Sequence, residues 1–313
     1  MQVQLIAPSG ASLDARSPQA GISWLIGQGV SVLNTECTQR VHQRFSGTDA
    51  ERVTELNGLS TLPASTTVMA MRGGYGLHRL LGSIEWQAIH KAVKAGLQIC
   101  GHSDFTAFHL GLLAKTGSIS LAGPMLNYDF GRIDENQVVA PDPFMWTHFQ
   151  RAVQKRSLSA QVNTSQQLSG LGSKTKTSTG MLWGGNLTIL TSLIGTPYFP
   201  AEQQYQNGIL FLEDVNEHPY RIERMLMQLL DAGILAKQSA IVMGGFSAYR
   251  LYDNDRGYSL QAAFELIRSR LPSSIPMLTD LPFGHQPNKL TLPVGAIVEI
   301  EANDAGYSLQ ADW

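Results

Sequence analysis

The sequence predicts an α/β protein that opens with a parallel sheet flanked by helices and continues into a mixed α/β second half. Short apolar runs alternate with helix-like segments through about residue 115, and a stretch rich in Ser, Thr, Gln and Gly interrupts this pattern between about 157 and 180. The length of 313 residues fits two domains of about 100–200 residues each. We predict an N-terminal domain over 1–155, a linker or irregular segment over 156–180, and a C-terminal domain over 181–313.

The first half alternates strand-like and helix-like segments. Apolar runs typical of strands lie at 3–7, 31–33, 67–71 and 97–100, and helical spacing covers 19–27, 47–59, 86–95 and 104–115. This alternation favours a parallel sheet, whose ligand crevice lies beyond the carboxyl ends of its strands. Gly73, Gly74 and the tripeptide Gly101-His102-Ser103 fall at those ends, so we expect a functional site there.

The second half mixes strands and helices less regularly. Strand-like runs lie at 209–212, 240–243 and 296–300, and helix-like runs lie at 187–193, 221–232 and 260–270. The pattern predicts mixed α and β structure without deciding its topology.

Composition narrows the class of protein. Charged residues are only 15% and hydrophobic residues 43%, which favours a compact globular chain over a disordered one. The net charge of −2 and the scattered basic residues argue against nucleic acid as a partner. No signal peptide or membrane span is apparent, and Cys37 and Cys100 are too few for a disulfide framework. We therefore expect a cytoplasmic protein that acts on small molecules or peptides.

Ser103 lies where an apolar strand turns into a helix. This is the layout of a nucleophile elbow, in which the turn exposes the serine oxygen and the helix N-terminus supplies N–H groups for an oxyanion. Phe105 stands where the common Gly-x-Ser-x-Gly motif has its last glycine, which argues against an ordinary α/β-hydrolase. Alternatively, Ser103 or Asp104 only caps the following helix.

An acid and a histidine lie in comparable positions in the second half. Glu213 directly follows the apolar run 209–212, so its carboxylate is expected beside a crevice, where it could orient a histidine. Glu217 is the competing acid, although a first-turn acid is also favoured by the helix dipole alone. His285 lies in the Pro/Gly loop 281–285, where a purely structural histidine is the alternative.

Gly73 and Gly74 could bring a backbone close to a ligand, as a phosphate cradle or an oxyanion-hole strand. They lack the Lys-Ser/Thr ending of a P-loop and the spacing of a dinucleotide fingerprint. The usual zinc-ligand spacings are also absent, so we predict no metal and no cofactor. A metal site built from residues distant in sequence stays open at this point.

Five segments, taken together and in order, resemble the LD-carboxypeptidase family, and within it the muramoyltetrapeptide carboxypeptidases of murein recycling. The resemblance spans nearly the whole chain. It is carried by residues 72–76, 101–106, 184–187, 212–221 and 283–285.

This resemblance implies a serine peptidase with the triad Ser103, Glu213 and His285, and an oxyanion hole from the backbone N–H groups of Gly74 and Asp104. It implies a flavodoxin-like N-terminal domain, similar to the nucleophile domain of class I glutamine amidotransferases. It also implies a C-terminal domain built around a β-barrel-like sheet, an active site between the two domains, and a homodimer.

The implied reaction is hydrolysis of the bond between meso-diaminopimelate and the terminal D-alanine of cytoplasmic murein tetrapeptides. Arg72 is the candidate partner for a substrate carboxylate, since a guanidinium binds carboxylates bidentately, although it could equally tie loops together. Two alternatives remain: a peptidase that inactivates a microcin-like peptide antibiotic, and a non-catalytic peptide-binding module on the same scaffold.

Overall fold

A computed structural model of the protein describes residues 1–164, 171, 175–303 and 305–313. The strands are β1 Gln2–Ile6, β2 Ser31–Leu33, β3 Thr66–Ala70, β4 Gln98–Gly101, β5 Ser120–Ala122, β6 Ile133–Asp134, β7 Gln137–Val138, β8 Ser157–Asn163, β9 Lys176–Asn186, β10 Ile209–Val215, β11 Ala240–Ser247, β12 Met277–Leu278, β13 Leu292–Val294, β14 Ile297–Asn303 and β15 Gly306–Asp312. The α-helices are α1 Arg16–Gly27, α2 Asp49–Gly58, α3 Trp86–Ala95, α4 Thr106–Thr116, α5 Pro143–Lys155, α6 Leu187–Ser192, α7 Glu202–Tyr205, α8 Pro219–Asp231 and α9 Leu260–Arg270.

The first sheet has six strands in the order β2-β1-β3-β4-β5-β13. The first five are parallel, in the flavodoxin-like strand order, and β13 pairs antiparallel with β5. β3 is buried along its whole length, as expected for a parallel strand covered by helices on both faces. The predicted fold class is confirmed in this half.

The second sheet has seven strands in the order β12-β11-β10-β9-β14-β15-β8. β9 to β12 run parallel to one another, and β14, β15 and β8 complete the sheet as antiparallel strands. The two ends of this sheet approach each other: the Tyr307 hydroxyl of β15 donates to the carbonyl of Thr279, just after β12, at 3.0 Å. The Oγ1 atoms of Thr164 and Thr279 lie 2.8 Å apart. The sheet therefore curls, in agreement with the expected barrel-like form.

The segment 156–180, expected to be a linker or irregular, instead contributes all of β8 and the first part of β9. Leu158 and Val162 of β8 are buried, while the residues between them are mostly more exposed. This period of two is the pattern of a strand with one face toward the core, and the polar composition of its other face hid it. Residues 165–170 and 172–174 lie outside the described residues, and the position of the domain boundary stays a prediction.

Helix α4 joins the two sheets into one core. Its residues from Thr106 to Leu113 are all buried, as expected for a helix that is covered on every side. The Thr106 hydroxyl accepts a hydrogen bond from the backbone N–H of Asn186, at the end of β9, at 3.0 Å. The helix that follows Ser103 thus fixes the end of β4 against the end of β9.

No helix in the described part of the chain is long and apolar enough to cross a membrane.

Candidate active site

Ser103 lies directly after β4 in a left-handed backbone conformation, with φ of 62°, which is uncommon for a residue other than glycine. Gly73, at the end of the neighbouring strand β3, packs against it. A Cβ atom on Gly73 would lie 2.7 Å from Ser103 Oγ and 3.2 Å from the Asp104 nitrogen, so only glycine fits. The two strand ends therefore meet as the sequence predicts, and the strained turn presents a half-exposed serine hydroxyl.

Two backbone N–H groups flank this serine. Within the described residues, neither the Gly74 N–H nor the Asp104 N–H donates a hydrogen bond to the chain. The Asp104 side chain is buried, and its Oδ2 accepts hydrogen bonds from Ser9 Oγ at 2.7 Å and from the Leu77 N–H at 3.1 Å. Burial raises the pKa of this carboxyl above its usual range. The Asp104 side chain thus anchors the turn, while its backbone N–H stays available to donate a hydrogen bond to a ligand.

Glu213 and His285 form a direct contact. Glu213 lies near the end of the buried strand β10 with none of its side chain exposed, and its Oε2 lies 2.8 Å from His285 Nδ1. Gly284 makes the approach possible, because a Cβ atom there would lie 3.1 Å from Glu213 Oε2 and its φ is +126°. A carboxylate can only accept, so Nδ1–H donates a hydrogen bond to Glu213 and the His285 Nε2 is left free to accept a proton.

Ser103 and His285 line one cavity of about 700 Å³, together with Arg72 and Gly74. Ser103 comes from the first sheet, whereas Glu213 and His285 come from strand β10 and a loop of the second half. The structure brings together all the residues that the sequence analysis singled out at the strand ends.

The competing acid, Glu217, does not contact His285. Its Oε2 accepts a hydrogen bond from Arg221 Nη1 at 3.4 Å, one turn further along α8. Glu213 is therefore the acid that the structure places against the histidine.

Arg72 lies half-buried at the wall of the cavity. Its Nη1 donates to the carbonyl of Ala11 at 2.6 Å, which ties the loop after β3 to the segment after β1. Burial, and secondarily the charge of Arg44, lowers the pKa of Arg72, and among the described residues no carboxylate pairs with it. Arg72 therefore ties loops together, and it lines the cavity without an ion-pair partner among the described residues.

A second carboxylate, which the sequence analysis did not single out, lies beside Glu213. Asn186 Nδ2 donates to Glu213 Oε1 at 3.1 Å and to Asp214 Oδ1 at 3.0 Å, so one amide bridges two acids. Asp214 Oδ2 accepts from the backbone and the hydroxyl of Thr188, at 2.9 and 2.8 Å. Burial, followed by the charge of Glu213, raises the pKa of Asp214 to about 6. The adjacent acids in the sequence were visible, but the bridging amide lies on another strand.

A buried lysine was also missed. Lys289 and Asp129 are completely buried and form an ion pair, with 2.6 Å between Nζ and Oδ1. Lys289 Nζ also lies 3.3 Å from His102 Nε2, while His102 Nδ1 lies 3.0 Å from the carbonyl of Gly123. Burial, and secondarily the Lys289 charge, holds the pKa of His102 well below its usual range. A neutral His102 that donates from Nδ1 and accepts at Nε2 satisfies all these contacts.

The buried group of Lys289, Asp129 and His102 lies against His285, the candidate base. The His102 ring lies edge-on to the His285 ring, with 5.2 Å between ring centroids. The hydroxyl of Tyr128 donates to the backbone carbonyl of His285 at 2.9 Å. Because His102 and Tyr128 belong to the first half of the chain, both contacts fix the histidine loop against the half that carries Ser103.

The residues that the structure describes contain no group of three or more His, Cys, Asp or Glu side chains placed to hold a metal ion.

Comparison with known proteins places these features in a family context. The family model for the LD-carboxypeptidase N-terminal domain matches residues 3–123, and the model for the LD-carboxypeptidase C-terminal domain matches residues 179–300. A crystal structure of muramoyltetrapeptide carboxypeptidase from Oxalobacter formigenes is similar to this chain, with 39% sequence identity and a TM-score of 0.86. The match covers 100% of this chain and 99% of the chain in that structure.

Two curated relatives differ in the role that their names give. The murein tetrapeptide carboxypeptidase of Pseudomonas aeruginosa is 28% identical and covers 96% of this chain and 94% of its own. The microcin C7 self-immunity protein MccF of Escherichia coli is also 28% identical, over 94% of this chain and 88% of its own.

Proposed function

Because the chain belongs to the LD-carboxypeptidase family, we propose that it is a serine carboxypeptidase that removes the terminal D-alanine from murein tetrapeptides. The observation that carries the proposal is the 2.8 Å contact between Glu213 and His285 on the cavity that Ser103 lines. An acid, a histidine and a serine in this arrangement have the parts of a catalytic triad.

In the proposed mechanism, Ser103 Oγ attacks the carbonyl carbon of diaminopimelate while His285 Nε2 takes the hydroxyl proton. Glu213 keeps the ring in the tautomer that leaves Nε2 free and stabilises the imidazolium. His285 then gives the proton to the nitrogen of the leaving D-alanine, and an acyl-enzyme forms on Ser103. A water molecule, deprotonated by His285, attacks the ester, and the tripeptide leaves with the serine hydroxyl restored.

The negative charge of the tetrahedral intermediate needs hydrogen-bond donors. The free N–H groups of Gly74 and Asp104 flank Ser103 and are proposed to form this oxyanion hole. A single such donor is worth about 2.7–4 kcal/mol of transition-state stabilisation. Arg72, which lacks an acidic partner in the described residues and lines the same cavity, is proposed to bind the carboxylate of the terminal D-alanine.

We further propose that the enzyme works on free murein peptides in the cytoplasm as part of peptidoglycan recycling, and that it does so as a homodimer. The family resemblance supports both points. Light scattering of the purified protein measures the assembly directly, and a monomeric mass would contradict the dimer.

The decisive experiment compares a tetrapeptide with a pentapeptide. The protein is incubated with L-Ala-γ-D-Glu-meso-diaminopimelate-D-Ala or with the same peptide carrying one more D-Ala, and free D-alanine is quantified by chiral chromatography. We expect release from the tetrapeptide only, because an oxyanion hole fixed by two backbone groups accepts one orientation of the carbonyl. A misplacement of about 1 Å already costs about a hundredfold. The Ser103→Ala variant serves as the control for contaminating peptidase.

Two outcomes contradict the proposal in different ways. Comparable release from both peptides refutes the LD specificity while leaving the triad intact. No release from the tetrapeptide refutes the substrate and favours the alternative that the microcin self-immunity relative supports, a peptidase acting on a peptide antibiotic. A protein that neither cleaves nor reacts with a fluorophosphonate at Ser103 would fit a non-catalytic binding module.

A further inference from the structure

The cavity beside Ser103 extends under a two-stranded hairpin that the triad does not use. Strands β6 and β7 form this hairpin, and Arg132, Ile133, Asp134 and Asn136 on it line the cavity. Arg16 of α1 reaches across, with its Nη1 and Nη2 each 3.4 Å from acceptor oxygens of Asn136. The hairpin is thus held at the mouth of the cavity.

The charged groups around the cavity are unevenly matched. Asp14 and Arg16 neutralise each other through a close ion pair, with 2.6 Å between Oδ2 and Nη2. Arg132 and Asp134, by contrast, form no ion pair with any of the described residues, including each other. They are two positions apart in an extended segment, so their side chains project from the same side of it. The hairpin therefore presents one positive and one negative group, both uncompensated, to a single cavity.

Arg132 and Asp134 line the same cavity as Ser103 and His285. Burial, followed by the charge of Asp129, raises the pKa of Tyr128, whose hydroxyl donates to the His285 backbone, and the positive charge of Arg132 acts on that pKa in the opposite direction. Arg132 is therefore within electrostatic range of a residue that contacts the His285 loop.

A ligand that matches one cation and one anion side by side carries a carboxylate and an ammonium on neighbouring positions, as an amino-acid head group does. In a murein tetrapeptide with meso-diaminopimelate, the side chain of the residue on the acyl side of the scissile bond ends in such a group. We propose that Arg132 and Asp134 form a subsite for this head group, which makes the enzyme prefer diaminopimelate over lysine at that position. This inference rests on the proposed function.

The chemistry explains why both residues are needed. A lysine side chain offers its ammonium to Asp134 but has no carboxylate for Arg132. An amidated diaminopimelate likewise loses the charge that Arg132 binds while keeping the length of the side chain. One charge-assisted hydrogen bond at a half-exposed site accounts for about 10- to 100-fold in affinity. We expect kcat/KM to favour the free diaminopimelate peptide over either analogue by this factor.

The test measures kcat/KM for three tetrapeptides that differ only at this residue: meso-diaminopimelate, its side-chain amide, and L-lysine. Arg132→Gln is expected to lower kcat/KM for the free diaminopimelate peptide by about 10- to 100-fold, so that it approaches the values for the two analogues. Asp134→Asn should lower kcat/KM for all three peptides, because each of their side chains bears an ammonium group. Glu135→Gln is the matched control, since it removes a charge from the same hairpin at a residue that does not line the cavity.

The outcomes separate this inference from the proposed function. A wild-type enzyme that releases D-alanine equally from all three peptides retains the proposed function and overturns the subsite. Wild-type selectivity that persists in Arg132→Gln, or kcat/KM values that stay unchanged for all three peptides in Asp134→Asn, also overturns it. Loss of selectivity in Glu135→Gln would show a general charge effect and would overturn it as well. A wild-type enzyme inactive on every tetrapeptide overturns the proposed function itself, and the subsite with it. A far-UV circular dichroism spectrum like that of the wild type reports that each variant is folded.

Discussion

Replacing Lys289 with methionine tests whether the buried ion pair under the histidine loop stabilises the fold. Methionine keeps most of the length and apolar surface of the lysine stem but removes the charge. Asp129 would then lose the Nζ atom that lies 2.6 Å from its Oδ1, and its other oxygen would keep only the N–H of Met125, at 2.7 Å. Both side chains are completely buried, so water cannot take the place of the lysine.

Removing one partner of such a pair costs about 3–5 kcal/mol, because it leaves a charge buried without compensation. We therefore expect Lys289→Met to lower the free energy of unfolding by about 3–5 kcal/mol near pH 7. The matched variant Lys289→Met/Asp129→Asn removes the stranded charge and keeps an oxygen for the Met125 N–H. The double variant should therefore be more stable than Lys289→Met, despite carrying one substitution more.

The pH dependence provides an internal check. Burial already raises the pKa of Asp129, and Lys289 opposes that rise, so the single variant should raise it further. An acid whose pKa is raised in the folded state binds its proton more tightly there than in the unfolded chain. Protonation therefore favours folding, and the destabilisation of Lys289→Met relative to wild type should grow as pH rises through the raised pKa of Asp129.

Urea unfolding at about pH 5 and about pH 8, followed by tryptophan fluorescence, measures the stability of wild type and both variants. If Lys289→Met stays within about 1 kcal/mol of wild type, or the double variant is the less stable of the two, the reasoning about an uncompensated buried carboxylate is wrong.

Four further predictions concern turnover and pH. Ser103→Ala and His285→Ala should each lower kcat by several orders of magnitude, and the double variant should be hardly worse, since triad members act as a unit; effects that multiply would contradict this. Glu213→Gln should lower kcat far more than Glu217→Gln. The reverse order would assign the role of the acid that orients the histidine to Glu217. Because the pKa of Asp214 is raised to about 6, wild-type stability should fall by up to about 3 kcal/mol as pH rises from about 4 to about 6. The stability of Asp214→Asn, measured by urea unfolding, should not show this fall with pH. A variant that shows the same fall as wild type would refute the assignment to Asp214. Exhaustive treatment with EDTA or phenanthroline should leave D-alanine release intact, and activity that returns only with zinc would overturn the serine mechanism.

The sequence places the residues at strand ends well, because that placement follows from local patterns. Ser103 and Glu213 each follow a short apolar run, and the carboxyl ends of parallel strands gather at one edge of a sheet. The α/β class is confirmed for this reason, whereas the flavodoxin-like order of the first sheet, which is also confirmed, was implied by the family resemblance. The catalytic roles of Ser103, Glu213 and His285 stay predictions until turnover is measured.

Other features depend on contacts that no local pattern records. Strand β8 alternates buried and exposed residues, but its exposed face is so rich in Ser and Gln that composition favoured a linker. Lys289 lies in a polar stretch of sequence, and only its contact with Asp129, far away along the chain, explains how a lysine can be completely buried. The Asn186 amide that bridges Glu213 and Asp214 is likewise set by the pairing of β9 with β10.

The last strand of the first sheet has a consequence for synthesis of the protein. β13 covers the edge of β5 with the pairs Leu292 to Ala122, Pro293 to Leu121 and Val294 to Ser120, yet it is synthesised only after β6 to β12. Until then β5 is an open edge, able to pair with strands of other nascent chains. His285 lies only a few residues before β13, so one segment carries the candidate base and closes the edge. A chain truncated before this segment would lack both and would leave β5 open to aggregation.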